Sequence, residues 1–151
     1  MIMILYLDAC SICRPFDDLT VIRNKLEKEA ILEILSRIQN EEYIWKRSEV
    51  LDVEINEIRN LEKREKIKNT FSHVPTQIFY NSEVKKLLKK VQSMGFELMD
   101  SIHICSAITG NCDIFISTDD DLIKIGQKYS QKLKLQFLNP LDFINKVRKK
   151  I

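Results

Sequence analysis

Met1-Ile2-Met3-Ile4-Leu5-Tyr6-Leu7, closed at once by Asp8, is the stretch on which the reading of this chain turns. It is apolar without alternation, the pattern of a strand covered on both faces inside a parallel sheet. Its length is far below the roughly 20 residues that a membrane-spanning helix needs. A secretory signal wants a positive start and small residues at a cleavage point, whereas here an acid ends the apolar run, so a cytoplasmic chain with no membrane association is expected.

Outward from that strand, helix and strand signals alternate. Leu19, Ile22, Leu26, Ala30, Ile31, Ile34, Leu35 and Ile38 recur at three- and four-residue steps, with Arg23, Lys25, Glu27, Lys28 and Glu33 between them, and predict an amphipathic helix. Tyr43 to Trp45 predicts a short strand. Ser48 is an N-cap candidate for a second long helix with the stripe Val50, Leu51, Ile55, Ile58 and Leu61, running into the charged Glu62 to Lys68 stretch and broken at His73 to Pro75. Gln77 to Tyr80 reads as a strand, and Val84, Leu87, Leu88 and Val91 as the buried side of a helix that Asn81-Ser82 caps and Gly95 ends. Met99 to Thr109 predicts a mostly buried helix, Ile114-Phe115-Ile116 a core strand, and Asp119 onward a further helix. Leu135 to Leu138 is the last strand, Pro140 a turn and Leu141 to Lys150 the closing helix. This order predicts an α/β fold, one domain over residues 1–151 with a central parallel sheet and helices on both faces, a three-layer α/β/α arrangement.

Composition narrows the function classes. With 151 residues, 44% hydrophobic and 30% charged, the chain can bury one sizeable core. Lys plus Arg total 24 against 22 for Asp plus Glu, a net charge of +2, so a polyanion would be held by local patches rather than by bulk charge. Gly95, Gly110 and Gly126 stand alone, which excludes both the P-loop and the G-x-G-x-x-G nucleotide cradle. Cys10, Cys13, Cys105 and Cys112 are too few and too dispersed for a disulfide framework and read as reduced thiols.

In a parallel sheet the functional crevice lies beyond the carboxyl ends of the strands, where Asp8 and the Asp119, Asp121 pair fall. Each alone is equally an opener of a turn or a helix cap. Glu54 lies within the apolar stripe of its helix, where an unpaired charge is costly, so it is paired, neutralised or cation-bound, or else reaches water at the stripe's edge. Asp100 is either an N-terminal acid favoured by the helix dipole or a ligand. If these acids converge, their mutual repulsion calls for a divalent cation such as Mg²⁺ or Mn²⁺, and a hydrated metal on carboxylates suits in-line attack of water on a phosphodiester.

At these residues the chain resembles a PIN domain, and among PIN domains the small stand-alone VapC-type toxin ribonucleases. The matching blocks are Ile4-Leu5-Tyr6-Leu7-Asp8, the Ser48 to Ile55 segment with Glu54, Asp100-Ser101-Ile102-His103-Ile104-Cys105-Ser106-Ala107, and Phe115-Ile116-Ser117-Thr118-Asp119-Asp120-Asp121-Leu122. The resemblance implies a metal-dependent endoribonuclease with Asp8, Glu54, Asp100 and Asp119 as the acidic site, Asp121 as an additional metal-binding acid and Ser117 as a supporting hydroxyl. It also implies Mg²⁺ or Mn²⁺ as cofactor, RNA as substrate, a small antitoxin as partner and a homodimer. Where the family usually follows its first Asp with a hydroxyl residue and then Asn or Ser, this chain has Ala9 and Cys10, which reduces polar support and leaves a weakly active or inactive RNA- or protein-binding domain as the alternative.

Arg14 follows closely and either holds a substrate phosphate or belongs to a capped turn. Cys10-Ser11-Ile12-Cys13 is formally a redox C-x-x-C, and His103, Cys105 or Cys112 would have to join that pair for zinc; neither reading accounts for Glu54, Asp100 and the late acids. A receiver-type phosphoacceptor wants its acidic pair early and a late Lys, the reverse of this order. His73 reads as a loop residue and His103 as a helix residue near the core. Lys63, Arg64, Lys66 and Lys68, then Lys85, Lys86, Lys89 and Lys90, then Lys146 to Lys150 are phosphate-binding candidates or solvated faces.

Overall fold

The computed structural model describes residues 1–149. In chain order the elements are β1 (Ile4–Leu7), α1 (Ala9–Cys13), a 3₁₀ turn (Arg14–Phe16), α2 (Ile22–Gln39), β2 (Ile44–Trp45), β3 (Arg47–Ser48), α3 (Glu49–Asn56), α4 (Leu61–Phe71), β4 (Thr76–Ile78), α5 (Ser82–Gln92), α6 (Leu98–Thr109), β5 (Ile114–Ile116), α7 (Asp120–Leu133), β6 (Gln136–Leu138) and α8 (Pro140–Lys149).

The main sheet is parallel, in the order β2-β1-β5-β6, and helices cover both faces in an α/β/α sandwich. Leu5, Tyr6 and Leu7 have no solvent exposure, as an unbroken apolar run requires. Successive side chains alternate across the sheet. Leu5 and Leu7 therefore join Ile31, Ile34 and Phe143 under α2 and α8, while Tyr6 joins Ile104, Phe115 and Phe137 under α5, α6 and α7. The Tyr6 ring stacks on Phe115 with centroids 5.1 Å apart.

Three local readings change. The long helix expected after Ser48 is two helices. Ser48 caps α3 by accepting the Leu51 N–H at 3.2 Å, but Asn60 starts a second helix by accepting the Lys63 N–H at 2.9 Å. The break rotates the stripe, so Leu61 is 61% exposed while Ile67 and Phe71 are buried. The strand expected over Gln77 to Tyr80 covers Thr76–Ile78 and pairs with β3 in a separate two-stranded parallel sheet, leaving Phe79 and Tyr80 exposed. Pro140 begins α8 rather than ending a turn, a position that suits its fixed φ and missing N–H. The helix expected to close the chain is α8 as far as Lys149; Lys150 lies outside the described residues. Among the described residues no helix is long and apolar enough to cross a membrane.

α7 lies close against β6 at Gly126, where an added Cβ would stand 2.3 Å from Cγ of Phe137. Phe137 is 2% exposed, with its ring packed against Phe96 and Phe115. Gly126→Ala should lower unfolding stability by about 1–3 kcal/mol through overpacking, read as a lower urea midpoint with an unchanged m-value.

Candidate active site

β1 and β5 are neighbours at the centre of the sheet, and the chain leaves them toward opposite edges, which opens a crevice beyond their carboxyl ends. Asp8 is the first residue past β1 and Ser117 the first past β5. The Asp8 N–H donates to the Ile116 carbonyl at 3.4 Å, and Ser11 Oγ donates to the same carbonyl at 2.9 Å, tying α1 to β5. Asp8 is 3% exposed and caps α1 by accepting the Ser11 N–H at 3.0 Å. Burial raises its carboxyl above the ordinary range, against the lowering effect of the Ser117 hydroxyl.

Asp119 caps α7, accepting the N–H groups of Asp121 at 3.0 Å and Leu122 at 3.2 Å, and its own N–H donates to Ser117 Oγ at 3.1 Å. Asp100 sits in the first turn of α6, half-buried. Burial first, then the negative charges of Asp119 and Asp8, push its carboxyl up to about 6. The Cys10 thiol is pushed up to about 12 by burial and then by the negative charges of Asp8, Asp119, Asp100 and Glu54. Cys13 is pushed up to about 11, mainly by burial. Both are free thiols displaced away from the low range that a redox C-x-x-C requires.

Asp100, Asp119 and Asp121 line a cavity of about 560 Å³, together with Glu97, Lys124 and Lys128. Asp8 and Glu54 do not line it. Glu54, on α3, directs Oε1 at Nε2 of His103. His103 Nδ1 is 2.6 Å from Tyr6 Oη, which is 2.6 Å from Ser48 Oγ. β1, β3, α3 and α6 are thereby joined through one buried polar file, which answers how a carboxylate enters the apolar stripe of α3.

Arg14 faces its own chain. Nε is 3.0 Å from Oε1 of the fully buried Glu27, and Nη1 donates to Asp17 at 3.1 Å and Asn24 at 2.7 Å. Arg23 clasps Asp120 with two contacts of 2.7 Å, donates to the Thr118 carbonyl at 3.0 Å and lies 3.3 Å from Glu27. Asn139 donates to Glu27 at 2.6 Å. Asp120 is thus held away from the cavity that Asp121 lines. Of the expected basic clusters, Lys63 pairs with Asp17 and Lys66 with Glu62.

Sequence reasoning missed Tyr6, His103, Glu27 and the two cavity lysines. A hydroxyl in a doubly covered strand was the available signal for Tyr6, because a buried phenol needs a partner. His103 stands three residues after Asp100, on the same side of α6.

Among the described residues no group of three or more His, Cys, Asp or Glu side chains stands close enough to hold a metal ion directly. The donors at the crevice are hard carboxylate oxygens, with Lys124 and Lys128 lining the same cavity. Such a set suits a hydrated Mg²⁺ or Mn²⁺ held through one or two carboxylates, not a closed protein cage. No protein-family model matches this chain, and no curated protein sequence matches it.

Asp100 and Asp8 bind protons more tightly in the folded protein than in the unfolded chain. This contribution to stability is complete below about pH 4 and is lost as pH rises through the folded value of Asp100, near 6. Asp100→Asn should therefore stabilise the protein in chelator by about 1 kcal/mol at pH 7, after allowance for screening at a half-buried site, and by nothing below about pH 4. Urea unfolding across a pH series checks this; an equal effect at both ends would contradict it.

Proposed function

We propose that this chain is a Mg²⁺- or Mn²⁺-dependent endoribonuclease of the PIN type, acting as the toxin of a toxin–antitoxin pair. The observation that carries the reading is the cavity that Asp100, on α6, shares with Asp119 and Asp121 at the start of α7 and with Lys124 and Lys128. Carboxylates that raise one another's proton affinity favour a bound cation, and lysines on the same wall favour a polyanion. RNA as the polyanion, the antitoxin and the homodimer come with the resemblance to the VapC-type family, and a cytoplasmic location with the reading of the acid-closed apolar run Met1 to Leu7.

One or two of Asp8, Asp100 and Asp119 would hold a hydrated ion directly and the others through its waters, with Asp121 as a further acid at the cavity edge. When bound, the ion supplies an activated water and offsets charge on the phosphodiester. The protein's part is to fix directions. Asp8 is pinned by the first turn of α1, and Asp119 by Ser117 and the first turn of α7. Lys124 and Lys128, one helical turn apart, can hold successive phosphates while the scissile one lies over the acids.

A binding domain without cleavage is the second reading. It is favoured by Ala9 and Cys10 after Asp8 and by the absence, among the described residues, of a gathered ligand triad.

The deciding experiment incubates the chain with single-stranded RNA in Mn²⁺ and in chelator. Cleavage should need the ion, and Asp8→Asn or Asp119→Asn should lower it at least about 100-fold with the circular dichroism spectrum intact. RNA bound but never cut would favour the second reading. Lys124→Ala and Lys128→Ala should raise KM with little change in kcat, and each should reduce the salt slope of RNA binding by about 0.7. An unchanged slope would remove these lysines from the substrate path.

A further inference from the structure

Behind Glu54, the file Ser48–Tyr6–His103 has only one arrangement of protons that satisfies every member. Ser48 and Tyr6 have no exposure and His103 is 2% exposed, so water offers them nothing. Ser48 Oγ already accepts from the Leu51 N–H, and among the described residues its own proton has one acceptor, Tyr6 Oη. The Tyr6 proton must then go to Nδ1 of His103, the only other partner of that hydroxyl among the described residues. Nδ1 is therefore an acceptor, the ring proton sits on Nε2, and it is donated to Glu54. If Nδ1 carried a proton instead, Tyr6 would have to accept it and turn to Ser48, and the Ser48 proton would be buried without a partner. A ring protonated on both nitrogens leaves the same orphan.

We infer that His103 is a positioning residue, locked by Tyr6 and Ser48 as the neutral Nε2–H tautomer so that it fixes the direction of the Glu54 carboxylate. His103 holds Oε1, and the 28% exposure of the Glu54 side chain keeps the carboxylate in reach of solvent. A partner of this kind, one step removed from the ligands, typically governs metal affinity or activity 10–100-fold. The inference rests on the nuclease reading for its consequence in catalysis, but the tautomer and the aim of Glu54 exist without substrate or metal.

Long-range ¹H–¹⁵N correlation on the labelled full chain reads the tautomer directly, with exposed His73 as internal reference. His103 should show a protonated Nε2 and an unprotonated Nδ1; a protonated Nδ1 overturns the inference. Tyr6→Phe should abolish the single tautomer and move the ¹³C signal of the Glu54 carboxylate, assigned by its loss in Glu54→Gln. An unmoved Glu54 signal also overturns it. In Mn²⁺ with RNA, His103→Ala should lower kcat about 10–100-fold, and His103→Gln, whose amide N–H can replace Nε2–H, should recover part of the loss while His103→Asn should not. Equal loss in all three variants refutes positioning through Nε2. If the parent chain cuts no RNA, the nuclease reading fails, and the two spectroscopic results still decide the histidine's role.

Discussion

The pairing of β1 with β5, Leu5 to Ile114, Tyr6 to Phe115 and Leu7 to Ile116, is the constraint on which the other features depend. It puts the ends of two strands that are more than a hundred residues apart in the chain side by side at the middle of the sheet. The Asp8 N–H and the Ser11 hydroxyl both reach the Ile116 carbonyl, so α1 can only start where β5 stops. Asp8 and Ser117 become neighbours as a consequence of register. A shift of one residue would also send Leu5, Tyr6 and Leu7 to the wrong faces and undo both halves of the core.

A crevice of this kind gathers carboxylates, and the fold opposes their repulsion in two ways. Backbone N–H groups at the first turns of α1 and α7 hold Asp8 and Asp119 without neutralising them. Arg23 draws Asp120 outward and is itself anchored by Glu27, one turn further along α2. Glu27 also engages Arg14 and Asn139, so a single buried carboxylate joins the start of α2 to the segments following α1 and β6. Asp100 keeps a raised proton affinity, from burial first and then from the charges of Asp119 and Asp8.

The alternation of helices and strands, the end points Asp8 and Asp119, and the caps Ser48 and Asn81 were legible because each depends on neighbours within a few positions. Periodicity, an acid that ends an apolar run and a polar residue that opens a helix are local statements. The break between α3 and α4 was hidden because Leu61 extends the apolar spacing of α3 even though Asn60 caps a new helix. Glu27 was read among the charges of an exposed helix face, since its burial depends on Arg14 from the turn after α1 and Asn139 from the segment after β6.

By itself the sequence determined that strands and helices alternate around a parallel sheet and which acids fall at strand and helix ends, because those follow from short-range sterics and the period of the hydrophobic pattern. Only tertiary structure decided that Asp100, Asp119 and Asp121 share a cavity with two lysines, that Arg14 is turned to Glu27, and that Glu54 leans on His103. Those outcomes hinge on hydrogen-bond partners from distant segments. Proton affinities and pairings in a buried site are set by whichever groups the folded chain brings within a few ångströms, and no local pattern encodes that distance.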